Sequence, residues 1–185
     1  DIVEVCYLER EGGAGSDTVS YISSTAAVNI NLATNINSGG SAAGDILSNI
    51  ENVTGSNFDD ILSGNSAANI IDGGTGIDIV SYVNSTVAVT VNLQLATAQL
   101  GAGDAVGDIL VGIENVTGSN FNDTLSGNAS ANTLDGGAGI DIVSYANSSA
   151  GVNVNLATNV NNSGDAQGDI LTNIEYIIGS AYDDT

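Results

Sequence analysis

The chain has 185 residues; 22 are Asp or Glu and only Arg10 is basic, so the formal net charge is −21. Such a surface cannot neutralise phosphates, which excludes nucleic acid and anionic membrane surfaces as electrostatic partners. The absence of His and Lys removes the usual acid–base and Schiff-base groups, so we do not expect an enzyme. The single Cys6 excludes an internal disulfide.

The apolar residues of the chain are mostly small or β-branched. They make up 42% of the sequence, whereas aromatic residues make up 4% and Pro, Met and Trp are absent. This content is too apolar for a disordered acidic tail, and no apolar run is long enough for membrane insertion. The acidity therefore reflects either a solvated acidic surface or bound divalent cations.

The N-terminal segment differs from the rest of the chain. Residues 1–10 lack Gly and alternate in hydrophobicity, which predicts one or two strands. The sequence then becomes repetitive, because Val-Ser-Tyr, Gly-Asp-Ile-Leu and Ile-Glu segments recur three times in the same order. We predict one solenoid over 1–185, with modules at about 12–72, 73–135 and 136–185 and an atypical segment at 1–11.

A nine-residue repeat lies inside each module. It has Gly at position 1, Asp or Asn at position 6 and Leu, Ile or Val at position 8. The clear copies are 12–20, 55–63, 64–72, 73–81, 118–126, 127–135 and 136–144, and fainter copies are 40–48, 103–111 and 164–172. Gly permits a tight turn, and position 8 would point inward from a short strand. Two such repeats would make one turn of a parallel β-solenoid, whose turns must stack to bury the inner face.

Other segments of each module give further predictions. Residues 28–32, 87–93 and 152–156 alternate in hydrophobicity and predict longer strands on one wall, with a loop at about 94–102. The recurring Tyr21, Tyr82 and Tyr145 predict a stacked structural ladder rather than a binding stripe. The Glu of each Ile-Glu segment is interpreted as an outward-facing strand residue rather than an extra metal ligand or a catalytic acid; these residues are Glu51, Glu114 and Glu175.

Position 6 holds nine of the aspartates. They are Asp17, Asp45, Asp60, Asp78, Asp108, Asp123, Asp141, Asp169 and Asp184. Stacked in loop columns about 4.8 Å apart, these carboxylates would repel one another unless cations lay between them. Hard oxygen ligands without imidazole or thiol suit Ca²⁺. At position 6 of the middle repeats, Asn69 and Asn132 are poorer ligands and predict an Asn hydrogen-bond ladder instead.

The sequences GGTGIDIVS at 73–81 and GGAGIDIVS at 136–144 resemble the nonapeptide of repeats-in-toxin (RTX, haemolysin-type) calcium-binding proteins. The wider module resembles arrays in large secreted bacterial adhesin-like proteins. The resemblance implies an all-β, right-handed parallel β-roll with several Ca²⁺ ions in its turns, type I secretion and calcium-triggered folding outside the cell. It also implies that each position-6 Asp binds calcium together with backbone oxygens of positions 1, 3 and 5.

Two functions remain open from sequence. One is a structural module of an extracellular adhesin, surface layer or fibre, whose adhesive ligand the sequence does not identify. The other is the C-terminal secretion and folding region of a toxin or hydrolase. Joining Thr185 to Asp1 of a second copy would continue the repeat register. This match predicts either head-to-tail self-association or a piece cut from a longer array.

Overall fold

The computed structural model describes residues 9–185, in which sixteen strands of three residues each pair in parallel. Residues 1–8 lie outside this part, and with them Cys6 and most of the segment 1–10 that was predicted to form one or two strands; the end of that segment lies in the strand Glu9–Glu11. Within 9–185, three single-turn 3-10 helices lie at Gly40–Ala42, Gly103–Ala105 and Gly164–Ala166. None of the helices found there has the length and apolar character to cross a membrane. The predicted all-β, parallel β-roll is confirmed.

The strands, numbered in chain order, form four sheets. The six-stranded sheet has the order β3 (Asn29–Asn31), β6 (Ile61–Ser63), β8 (Ile79–Ser81), β11 (Asn115–Thr117), β13 (Thr133–Asp135) and β15 (Ile170–Thr172). One four-stranded sheet has the order β2 (Thr18–Ser20), β5 (Asn52–Thr54), β7 (Ile70–Asp72) and β10 (Ile109–Val111). The other has the order β9 (Thr90–Asn92), β12 (Thr124–Ser126), β14 (Ile142–Ser144) and β16 (Tyr176–Ile178). A further pair joins β1 (Glu9–Glu11) to β4 (Ile46–Ser48).

The middle residue of most strands points into a single hydrophobic core, as position 8 of the repeat predicts. Leu62, Val80 and Val116 lie in register on neighbouring strands and have no exposed surface or almost none. Leu62 and Val80 are 18 residues apart, which is the predicted two repeats per turn. No repeat could bury this residue alone, because its neighbours in the core come from adjacent turns.

The chain crosses from one wall of the solenoid to the other at each strand from β5 to β9. Strands β6 and β8 lie in the six-stranded sheet, while β5, β7 and β9 lie in the four-stranded sheets opposite. Strands β9 and β10 both lie opposite the six-stranded sheet, β11 and β13 lie in it, and β12 and β14 lie opposite. From β8 to β14 the chain therefore crosses between the walls five times, so one module makes two and a half turns. Equivalent strands of successive modules consequently lie on opposite walls, so the prediction that the alternating segments share one wall is wrong.

The alternating segments also form shorter strands than predicted. Strands β3 and β9 have three residues each, and Asn153 makes only an isolated antiparallel bridge to Asn162. The chain turns soon after each segment because an Asn side chain captures a following amide: Thr34 N donates to Asn31 Oδ1, and Gln94 N donates to Asn92 Oδ1. The predicted loop at 94–102 contains no strand.

In each of the first two modules, a wide turn (β3 to β4, and β9 to β10) holds both the start of one sheet and the end of another. Between β8 and β11, strand β9 begins a sheet that continues to β12, and β10 ends the sheet that contains β7. The earlier wide turn does the same with β3 and β4 on the other wall. The sheets therefore overlap along the solenoid axis, and the six-stranded sheet runs past the wide turn between β8 and β11.

Candidate metal centre

An Asp, Asn or Glu residue directly precedes almost every strand of the solenoid. Most of these carboxylates accept the backbone N–H of the residue at the same place in the preceding turn. Thus Asp78 Oδ1 accepts from Asp60 N at 2.7 Å, and Glu114 Oε2 accepts from Asp78 N at 2.9 Å. Columns of the kind predicted for position 6 therefore exist along the sheets of both walls, and they also contain the Glu residues of the Ile-Glu segments.

Among residues 9–185, three buried carboxylate oxygens in these columns lack a hydrogen-bond partner. They are Oδ2 of Asp17, Asp78 and Asp141, one in each module and each in a Gly-Gly-x-Gly turn. The Asp78 and Asp141 side chains are at most 1% exposed. A buried ionised oxygen without a donor is unfavourable, so these atoms indicate a bound cation.

A backbone carbonyl from the following turn faces the unpartnered oxygens of Asp78 and Asp141. A Cβ atom added to Gly73 would collide with the carbonyl oxygen of Gly112 and lie 2.6 Å from Asp78 Oδ2, so both oxygens border the same small space. The same relation holds for Gly136 with Asn173 and Asp141. Asn49, Gly112 and Asn173 have φ between 52° and 55°. Gly and Asn favour this left-handed conformation.

Burial raises the pKa of Asp78 to about 6, although the N–H of Asp60 acts in the opposite direction. The charges of Asp60, Glu114 and Asp59 also contribute to this rise in the pKa of Asp78. Burial likewise raises the pKa of Asp141. These shifts mean that the ionised carboxylates are poorly stabilised by the protein alone, and a cation beside Oδ2 would remove that penalty.

The donor set fits calcium. Within residues 9–185, no group of three or more His, Cys, Asp or Glu side chains gathers around one point. A site here must therefore combine a few carboxylate oxygens with backbone carbonyls, and Ca²⁺ accepts such mixed and flexible oxygen ligation. Asp78 and the Gly112 carbonyl would hold one ion, and Asp141 and the Asn173 carbonyl would hold another. The charge of each ion would link adjacent turns.

The aspartates of the Gly-Ser turns have a different environment. Asp60 Oδ1 accepts from Val28 N at 2.7 Å and from Ser56 Oγ at 2.8 Å, and its Oδ2 accepts from Ser56 N. Asp123 repeats this arrangement with Ser119, and Asp184 Oδ1 accepts from Val152 N and Ser180 Oγ. The Ser hydroxyl supplies a donor that the Gly-Gly turns lack, and calcium binding by these three aspartates stays a prediction.

The aspartates of the Gly-Asp-Ile-Leu segments bind the recurring tyrosines. Tyr82 Oη donates to Asp108 Oδ2 at 2.9 Å, and Asn69 N donates to Asp108 Oδ1 at 2.9 Å. The same Tyr–Asp bond joins Tyr21 to Asp45 and Tyr145 to Asp169. The three tyrosines directly follow β2, β8 and β14, which belong to three different sheets, so they do not form the predicted stacked ladder. Calcium binding by Asp45, Asp108 and Asp169 also stays a prediction.

Replacing Tyr82 by Phe should destabilise the protein without removing a calcium ion. The change leaves Asp108 Oδ2, fully buried, without its donor, which costs about 1–3 kcal/mol in the free energy of unfolding. Urea denaturation at saturating calcium measures this cost. The exposed Tyr182 provides the control, and Tyr182→Phe should change little. Equal effects of both substitutions, or a lost calcium ion in Tyr82→Phe, would contradict the structural role of this bond.

The two Asn turns close with amide hydrogen bonds. Asn69 Nδ2 donates to the carbonyl oxygen of Glu51 at 2.7 Å, and Asn132 Nδ2 donates to the carbonyl oxygen of Glu114 at 2.7 Å. A donor N–H directed at the carbonyl oxygen takes the place that a cation would need. This arrangement corresponds to the hydrogen-bonded Asn interpretation of these repeats.

Sequence reasoning missed two participants in the site. Glu51, Glu114 and Glu175 were expected to face outward from a strand, but each precedes the strand, and Glu51 and Glu114 are only partly exposed. The left-handed residues that aim a carbonyl at each site were not singled out either. The recurring Asn or Gly three residues after each Gly-Asp-Ile segment was the available signal.

Comparison with known families identifies the same repeats. The model of the RTX calcium-binding nonapeptide repeat (four copies) matches residues 47–80 and 110–143. Both segments include a Gly-Gly turn with its unpartnered carboxylate oxygen, at Asp78 and Asp141. The chain has no significant match among curated proteins. RTX nonapeptide repeats bind Ca²⁺ at multiple sites, so the prediction of several calcium ions is confirmed. The chain therefore contains RTX calcium-binding nonapeptide repeats over residues 47–80 and 110–143.

Proposed function

We propose that this chain is a calcium-loaded structural module of an extracellular bacterial protein, such as an adhesin, a surface layer or a fibre. The observation that supports this proposal is the set of three buried, unpartnered Asp oxygens, one per module. RTX repeats are typical of secreted proteins. Calcium sites of extracellular modules have dissociation constants of about 10⁻⁴–10⁻³ M, so such a module would stay unloaded inside a cell.

A structural role explains the positions of the acidic side chains that precede the strands. The aspartates before the strands bond to neighbouring turns, and no His or Lys is available for catalysis. Bound calcium would link a nonapeptide turn to the turn that follows it. The solenoid would then be assembled and stiffened by the ion rather than use it for a reaction.

Calorimetric titration of the metal-free protein with Ca²⁺ tests the proposal. We expect at least three ions per chain, one for each unpartnered oxygen, with half-saturation at about 10⁻⁴–10⁻³ M. Mg²⁺ is the control, because it prefers strict octahedral geometry and retains its waters, and it should bind more weakly. Fewer than three calcium ions, or equal binding of both metals, would overturn the proposed sites.

A further inference from the structure

The Glu residue of each Ile-Glu segment occupies the same column as the position-6 aspartates. Glu114 directly precedes β11, as Asp78 directly precedes β8, and these two strands are adjacent and in register. The connection before Glu114 is shorter than a nonapeptide, because the inward residues Leu110 and Val116 are six positions apart while Leu62 and Ile71 are nine apart. The longer Glu side chain reaches the column from this shorter connection.

Each unpartnered oxygen belongs to an Asp whose neighbour in the next turn of the same sheet is a Glu rather than another Asp. The Glu carboxylate accepts the Asp backbone N–H in every module: from Asp17 to Glu51 at 2.9 Å, from Asp78 to Glu114 at 2.9 Å, and from Asp141 to Glu175 at 2.7 Å. Asp60, which is followed by Asp78 instead, has both oxygens on donors. In each module, therefore, a Glu carboxylate binds the backbone of an Asp that has one buried oxygen without a donor.

No basic side chain of the protein is available to balance these carboxylate pairs. The chain has a single basic residue, Arg10, and its Nε lies 2.7 Å from Asp45 Oδ2. Two neighbouring carboxylates in a partly buried place repel each other unless a cation lies with them.

We propose that Glu51, Glu114 and Glu175 are calcium-binding residues, each sharing an ion with the preceding Asp of its column. The ion would lie between a nonapeptide turn and the Ile-Glu turn, and it would be held by Asp78 Oδ2, the Gly112 carbonyl and the Glu114 carboxylate in the second module. This proposal rests on the proposed function, because it requires that Asp78 binds calcium. It extends the site to a residue outside the nonapeptide.

The alternative is that Glu114 only caps the Asp78 N–H. The Glu114→Gln substitution separates the two roles, because the Gln side-chain oxygen can still accept that hydrogen bond but carries no charge. Asp59→Asn is the matched control. Asp59 Oδ1 accepts from Ile77 N at 2.9 Å, and the neutral Asn122 makes the same bond to Ile140 N in the next module. Both variants remove one negative charge and keep an acceptor for a backbone amide.

Calorimetric calcium titration of Glu114→Gln, Asp59→Asn and Asp78→Asn forms the experiment. We expect Glu114→Gln to weaken one site on the order of tenfold, the loss of about 1.4 kcal/mol, and Asp59→Asn to leave all sites nearly unchanged. The triple variant Glu51→Gln, Glu114→Gln, Glu175→Gln should shift the calcium midpoint of folding, followed by circular dichroism, to higher concentration by a similar factor. Circular dichroism at saturating calcium verifies that each variant folds.

The Asp78→Asn variant distinguishes failure of this inference from failure of the proposed function. If Asp78→Asn loses an ion and Glu114→Gln behaves like Asp59→Asn, Glu114 is only a cap and the inference is wrong, while the calcium module stands. If Asp78→Asn keeps every ion, the site itself is wrong and the inference falls with it. Loss of affinity in both variants, against an unchanged control, supports the inference.

Discussion

Removing calcium should abolish most of the β-structure of the protein. Each of the three buried Asp oxygens would lose its cation, and the net charge of −21 would then oppose compaction. Three sites at tenfold excess of calcium over their dissociation constants contribute about 4 kcal/mol to folding, which is most of the stability of a marginal domain. Far-UV circular dichroism in chelator, followed by return of calcium, measures the loss and its reversal.

Sodium chloride is the control for this experiment. High salt screens the surface carboxylates but does not replace a divalent ion held by buried oxygens. If sodium chloride restored the spectrum as fully as calcium does, general repulsion would explain the unfolding. A spectrum that does not change in chelator would show that the Asp columns need no cation.

Replacing Asp78 by Asn should have opposite effects with and without calcium. The calcium titration should lose one ion, because Oδ2 of a carboxylate is replaced by an amide. Without calcium the variant should be more stable than the original protein, because the new amide is uncharged and can donate to the Gly112 carbonyl of the following turn. Asn69 shows that an uncharged amide is accommodated at position 6, where it donates to the Glu51 carbonyl of the preceding turn.

The pKa of Asp78 gives the size and sign of the metal-free effect. It is about 6 in the fold and about 3.9 in an unfolded chain, so ionisation at neutral pH costs the fold about 2–3 kcal/mol. This penalty is present above pH 6 and disappears as the pH falls towards 4, whereas Asp78→Asn removes it at every pH. Far-UV circular dichroism of both calcium-free proteins at pH 7 and pH 5, with a stabilising osmolyte titrated in until the fold returns, measures both effects. Destabilisation of the calcium-free variant at pH 7 would contradict this account.

The sequence predicted the nonapeptide turns well because their chemistry is local. Gly at position 1, an acid at position 6 and an apolar residue at position 8 correctly located strands such as β8 and β14 and the turns that precede them. The Gly-Gly pair marks the two repeats that resemble the RTX nonapeptide, and their aspartates, Asp78 and Asp141, each have an unpartnered oxygen. In the Asp60 repeat, Ser56 replaces the Gly at position 2, and its hydroxyl donates a hydrogen bond to Asp60 Oδ1.

The number of turns per module could not be predicted from the sequence. It depends on the connection between β10 and β11, where the inward residues Leu110 and Val116 are only six positions apart. Hydrophobic periodicity alone does not show that Glu114 begins a new half-turn, because the residues around it also fit a short alternating strand. The wall of each strand, the neighbours of each Tyr and the column position of Glu114 all depend on that count.

The overlap of the sheets has a mechanical consequence. At the wide turn between β8 and β11, one wall changes from one sheet to the next, while β8 and β11 remain paired in the other wall. At the earlier wide turn the change occurs on the opposite wall, and β2 stays paired with β5. The two breaks between sheets lie on opposite walls, so a continuous sheet spans the solenoid beside each break. A pulling force along the axis therefore has to separate paired strands at either break.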